Sequence, residues 1–106
     1  MNQYCIVMST FETLEQAKGV IDQVLSKKMA ACVQTMDIGS HYIWQGEVCH
    51  DKEILVLFKT SESSYISLKS ILEEIHPYET PEIIKIPIED GGNSYLNWID
   101  EVTHKS

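Results

Sequence analysis

Basic residues are scarce. Eight lysines and arginines stand against sixteen aspartates and glutamates, for a net charge of −8 over 106 residues, and those eight form no cluster. A surface of that sign repels phosphate backbones, so nucleic acid is not an expected partner. Metal cations are not repelled. Long apolar runs are missing too: nowhere do about 18 apolar residues follow one another, and no membrane association is expected. The stretch "MNQYCIVMSTFE" lacks the basic start and sustained apolar core of a secretory signal. Paired cysteines are also absent from the pattern. Cys5, Cys32 and Cys49 are odd in number, far apart and without CxxC spacing, which points to reduced thiols in a cytoplasmic protein. No phosphate-cradling loop is present, because Gly91-Gly92 precedes a helix without the Walker lysine. No serine sits in a nucleophile elbow and no cysteine at a helix start. Neither an enzyme nor an organic cofactor is expected.

What is present is a single domain's worth of foldable chain, 43% apolar and 23% charged. "YCIVMST" (4–10) is a short apolar run rich in β-formers and predicts a buried strand. Thr13-x-x-Gln16 has capping-box spacing. Leu14, Ala17, Ile21, Val24 and Leu25 then mark one face of a helix running to about Lys28, with Lys27 and Lys28 at its negative end. The stretch from Ala30 to Lys59 is mostly extended and reads as a long hairpin turning near Gln45-Gly46-Glu47, with Gly39 marking a bulge or bend. A second helix should start near Ser63, bury Tyr65, Leu68, Ile71, Leu72 and Ile75, and end at Pro77. "PEIIKIPIE" (81–89) is a fourth strand, placed at an edge by Pro87. After Gly91-Gly92, Asn93 or Ser94 caps a short helix carrying Tyr95, Trp98, Ile99 and Val102 on one face. The order β-α-β-β-α-β plus a short helix predicts an α+β, ferredoxin-like sandwich of four antiparallel strands, with both main helices on one face.

Two helices cover one sheet face, yet the strands are apolar on both. Cys5 to Met8 and Ile54 to Phe58 are unbroken, and Ile83, Ile84, Ile86 and Ile88 supply both sides of the last strand. Soluble monomers avoid an open face of that kind. A hairpin arm of about 14 residues also spans roughly 46 Å, against about 21 Å for the first helix, so a tip bearing Tyr42, Trp44 and Val48 overhangs the core. The expectation is a homo-oligomer packed sheet to sheet, its hairpins wrapping the next subunit.

The densest chemistry lies in "IHPYETPEI" (75–83). One reading is a small cleft in which the His76 imidazole is a metal ligand or proton carrier beside Glu79 or Glu82. The other is a stiff corner, with His76 and Tyr78 capping the helix and Pro77 and Pro81 fixing the strand entry. Lys59 is either a strand-end charge in water, as Glu53 is, or an anion contact facing that cleft. Tyr42 and Trp44 serve as interface packing or as a ligand platform. Cys5 and Cys32 behave as small hydrophobes, with Cys32 also a candidate soft ligand for Cu(I). Cys49-His50-Asp51 cannot converge on one ion from an extended strand. His41 and His104 read as solvent-facing.

"AACVQ" (30–34), "SHYIWQGEV" (40–48), "ILVLFKT" (54–60), "HPYETPEIIKIPIEDG" (76–91) and "YLNWI" (95–99) together resemble the CutA divalent-cation tolerance family, in order and over nearly the whole chain. The resemblance implies one CutA-like domain spanning 1–106, in a tight homotrimer similar in architecture to PII-type signal proteins. It also implies a role in copper or other divalent-metal tolerance, through a metal ion or small ligand bound at clefts between subunits. Metal ligands would come from His76, Glu79 and Cys32, and Lys59, Trp44, Tyr78 and Glu82 would line the cleft. The alternative is a PII-like regulatory module that senses a small anion or docks a partner protein. The chain departs from the family in three places. Met36-Asp37 replaces a frequent Pro-Gly. Ser9 stands where proposed copper binders carry a first-strand cysteine, and Ile75 where a second histidine would precede "PYE".

Overall fold

β1 (Tyr4–Phe11) lies at the centre of the molecule because it is the element that two other strands need. The computed structural model describes residues 3–103; His104 lies outside them. After β1 come α1 (Leu14–Ser26), β2 (Cys32–Trp44), β3 (Glu47–Ser61), α2 (Glu62–Ile75), β4 (Ile84–Ile88) and α3 (Asn93–Thr103). The sheet order is β2-β3-β1-β4, and every neighbouring pair is antiparallel. This is the expected ferredoxin-like order, with β4 and its Pro87 on an edge.

Side-chain alternation sorts the sheet into two faces. Cys5, Val7 and Phe11 of β1 and Val56 and Phe58 of β3 point to one side and are fully buried under Ala17, Val20 and Val24 of α1 and Leu68, Ile71 and Leu72 of α2. Burial pushes the Cys5 thiol up to about 11, as suits a small hydrophobe. Ser9 shares this face, and its buried hydroxyl has no hydrogen-bond partner among the described residues. The α1 stripe differs from expectation. Val20 takes the buried position, while Leu14 and Leu25 stay about two-fifths exposed, because the helix rolls its 17–20–24 line onto the sheet.

The second face carries Ile6, Met8, Leu55, Leu57, Met36, Ile84 and Ile86. α3 covers only one end of it. There Ile99 is fully buried, and the Thr103 hydroxyl lies 3.3 Å from that of Ser61. Tyr95 and Trp98, expected on the buried stripe, remain 41% and 40% exposed. The rest of the face is open, with Met36 53%, Ile84 47% and Ile86 41% exposed. The apolar surplus legible in the strands is thus real in the single chain.

The turns explain the boundaries. Thr13 Oγ1 accepts the N–H of Gln16, but the Gln16 side chain reaches back to the N–H of Glu12, one residue before the cap. α1 closes in a Schellman motif, with Met29 N–H donating to the Val24 carbonyl and Lys28 N–H to that of Leu25. Lys28 itself holds the left-handed position at φ 57, where glycine is usual. In the hairpin, Gln45 (φ 50) and Gly46 (φ 78) form a two-residue loop with both φ positive, the twist-matched turn for a two-stranded arm. The ladder from Trp44↔Glu47 to Cys32↔Lys59 is uninterrupted. Gly39 pairs with Lys52 in register, so the expected bulge is absent. Lys28→Gly should relieve the left-handed strain and raise stability by about 0.5–1 kcal/mol; a higher midpoint in thermal unfolding would show it.

Candidate functional site

β1 stops at Phe11, opposite Ile54. β3 continues outward to Glu47 with β2 alone beside it. The arm beyond Ile54 has a free edge, and the chain leaving α2 folds back into the resulting notch. Thr10 and Glu12, then Ser40, His41, Tyr42, Trp44 and residues 51–53 of the arm, and Tyr78, Glu79, Thr80 and Glu82 of the corner together line a cleft of about 650 Å³.

His76 builds the corner. It is extended (φ −65, ψ 135), as the residue before proline prefers to be, and its ring turns inward to 8% exposure. The ring stacks on Phe11 with centroids 4.3 Å apart. Nε2–H donates to the Thr10 carbonyl at 2.9 Å, and Nδ1 accepts the Tyr78 backbone N–H at 3.0 Å. One neutral tautomer satisfies both contacts, and it leaves no lone pair for a metal. Burial lowers the imidazole below its ordinary pKa, outweighing the Thr10 hydrogen bond and the Glu53 charge that act the other way. Next along the chain, the Tyr78 hydroxyl donates to Glu53 Oε2 at 2.7 Å. Burial first, and then that bond, raise the Tyr78 phenol. Tyr42 donates to the Asp51 carboxylate on the hairpin, which pushes its phenol up to about 12.

The cleft is acidic. Glu12, Asp51, Glu53, Glu79 and Glu82 line it against a single ammonium, Lys52. Trp44, Tyr78, Glu79 and Glu82 share this lining. His76 stands behind it as the corner's anchor. Cys32 and Lys59 are elsewhere: they pair with each other across β2 and β3 on the second sheet face, and Lys59 Nζ lies 5.6 Å from the centroid of the Tyr95 ring. Their rung is four residues along the strand from that of Thr10, roughly 13 Å. The ammonium facing the cleft is therefore Lys52, not Lys59.

Within the single chain the metal ligands that the resemblance implies, His76, Glu79 and Cys32, do not converge: Glu79 lines the cleft, while Cys32 lies on the second sheet face. Ser9 is sealed in the core, Ile75 offers no donor, and His76 has both nitrogens engaged. Among the described residues no group of three or more His, Cys, Asp or Glu is placed to hold a metal. Glu12, Asp51, Lys52 and His41 escaped the sequence reading as cleft residues. For the three on the hairpin, His41, Asp51 and Lys52, the signal was the Gln45-Gly46 turn, which fixes every β2–β3 partner once it is taken as a two-residue loop; Glu12, just past β1, had no such signal.

Sheet order, overhanging hairpin and acidic notch define a ferredoxin-like α+β protein with a ligand-sized cleft at the hairpin base. The family profile of the CutA1 divalent ion tolerance protein matches residues 5–102. The chain is 36% identical over 100 residues to the "Divalent-cation tolerance protein CutA" of Pyrococcus horikoshii, covering 94% of this chain and 98% of that one. It is 37% identical over 99 residues to the protein of the same name from Thermus thermophilus, at 92% and 96% coverage. The solved structure of the periplasmic divalent cation tolerance protein CutA from Archaeoglobus fulgidus superposes with a TM-score of 0.92. It is 33% identical and covers 95% of this chain and 99% of that one. The chain belongs to the CutA1 divalent ion tolerance family.

The His76 environment sets a pH dependence. Its folded pKa is depressed, so its contribution to stability is complete above the unfolded value of about 6.5. That contribution is lost as pH falls from there through the lower folded value. The unfolding midpoint should drop between pH 7.5 and 5.5, and His76→Gln should flatten that part of the profile while lowering stability by about 1–3 kcal/mol. Denaturant melts of both proteins at the two pH values check this.

Proposed function

We propose that the chain acts in divalent-cation tolerance, by binding copper or another divalent cation, or a small ligand, at clefts of a homotrimer. Family membership across nearly the whole chain is the observation that carries this reading. Physical support comes from the cleft itself, in which five carboxylates against one ammonium raise the local concentration of cations. Glu79, Glu82, Tyr78 and Trp44 form its ligand-facing wall, and His76 holds that wall in place. No step of bond chemistry is assigned to these groups; the role is binding.

Assembly follows from the open sheet face. Ile6, Met8, Leu57, Ile84 and Ile86 form a continuous apolar surface that water contacts in the single chain, and burying it against copies of itself is the favourable outcome. The hairpin tips, with Ile43 75% and Val48 69% exposed, offer apolar surface for a neighbouring subunit to cover. Three thiols free of disulfides favour a reducing compartment such as the cytoplasm.

A bacterium deleted for its own CutA gene and expressing this chain should regain growth on elevated Cu²⁺; failure to do so in soluble, expressed protein would overturn the tolerance reading. Sedimentation at micromolar loading should give one species at three times the 12.1 kDa chain mass. Glu79→Gln with Glu82→Gln should weaken cation binding by about two- to tenfold, more at low salt than at high, as titration calorimetry would show.

A further inference from the structure

The overhanging arm carries a second feature, at the margin of the cleft. His41 and His50 are directly opposite each other on the β2–β3 ladder, so their side chains leave the same face. Their Nδ1 atoms are 2.6 Å apart, and the rings meet edge to face with centroids at 4.7 Å. One Nδ1 donates and the other accepts, so two imidazole lone-pair positions converge on one point. Both residues are exposed, and the ladder beneath them is unbroken. The backbone therefore holds the two rings together without help from the side chains.

From this geometry we infer that His41 and His50 form a two-imidazole site for a borderline divalent transition metal, Cu²⁺ above all. Metal–nitrogen bonds of about 2.0–2.1 Å place two adjacent donors about 2.9–3.3 Å apart. The observed 2.6 Å needs only a small opening about exposed side-chain torsions. The proton now between the rings moves to Nε2 of its own ring, which gives both Nδ1 atoms to the metal, and water completes the coordination. Cys49 and Asp51 flank His50 in sequence but leave the opposite face of the strand, so neither is a ligand. Lys52, one same-face position along, is the nearest ammonium and limits the affinity. The carboxylates of the adjoining cleft, which His41 also lines, offset that repulsion. The inference rests on the cation-binding reading above and names the site for it, away from His76.

Titration calorimetry of the intact protein with CuCl2, NiCl2 and ZnCl2 tests it. One metal per chain should bind, with Cu²⁺ tighter than Ni²⁺ or Zn²⁺, and excess Mg²⁺ or Ca²⁺ should not compete, because imidazole rather than carboxylate supplies the ligands. His41→Gln and His50→Gln should each weaken Cu²⁺ binding at least tenfold, while Cys49→Ser leaves it unchanged. Zn²⁺ should also shift the Nδ1 resonances of both histidines in the imidazole ¹⁵N spectrum. Full Cu²⁺ affinity in the His41→Gln/His50→Gln double variant overturns this site and leaves the wider cation reading standing. No binding of any of the three metals by the unmodified chain overturns this site and, with it, the transition-metal form of that reading.

Discussion

The length of β3 is the constraint from which the rest follows. It is a central strand over one half, with β1 on one side and β2 on the other, and an edge strand over the other half, where β1 has ended. Hydrogen-bonding groups on an unpartnered edge invite another segment to approach. In this chain the approaching segment is the corner after α2, anchored by His76 on Phe11 and Thr10. The cleft is what remains between that corner and the arm, so its lining draws on β1, both hairpin strands and the 78–82 segment. No separate design is needed to gather acidic residues there: Glu12 directly follows β1, Glu53 marks where β3 leaves the core, and Glu79 and Glu82 lie on the corner.

Much of this architecture is legible in the sequence. The unbroken apolar runs gave β1 and the inner half of β3, Gly46 gave the hairpin turn, and Pro77 gave the end of α2 with His76 extended. These are local signals, each enforced by one steric or hydrophobic rule. The misses share another cause. Which face α1 buries, how α3 lies on the second sheet face, and where Lys59 points all depend on contacts between elements that periodicity cannot rank. Gly39 misled for a simpler reason. It sits in a regular ladder with nothing within 4 Å of where a Cβ would be, so neither packing nor backbone conformation demands glycine there.

Site residues were legible in kind more than in place. The 76–82 block reads from the sequence either as a cleft with His76 as ligand or proton carrier, or as a stiff corner with His76 as a cap. The fold uses it as a bracket, spending Nε2 and Nδ1 on two backbone groups that the corner would otherwise leave unpaired. The pairing of His41 with His50 was, by contrast, deducible. A two-residue loop at Gln45-Gly46 makes Trp44 and Glu47 partners, and counting outward by threes brings 41 opposite 50. Adjacency in sequence drew attention to Cys49-His50-Asp51, whereas adjacency across the ladder is what brings donors together.

Core and arm also divide the chemistry between them. In the core, a polar group is costly unless it is paired, and Ser9 shows the limit of that tolerance, with a sealed hydroxyl lacking a partner among the described residues. A charged ion placed there would need several buried donors that this core does not have. On the arm the cost reverses. Imidazoles and carboxylates stay hydrated, the ladder fixes their spacing, and a cation exchanges some waters for nitrogen without opening the hydrophobic interior. A family relative with donors at positions 9 and 75 could hold an ion against the sandwich. With Ser9 and Ile75 at those positions, the imidazole pair and the carboxylates gathered where the hairpin leaves the core are donors that a cation can reach without opening the sandwich.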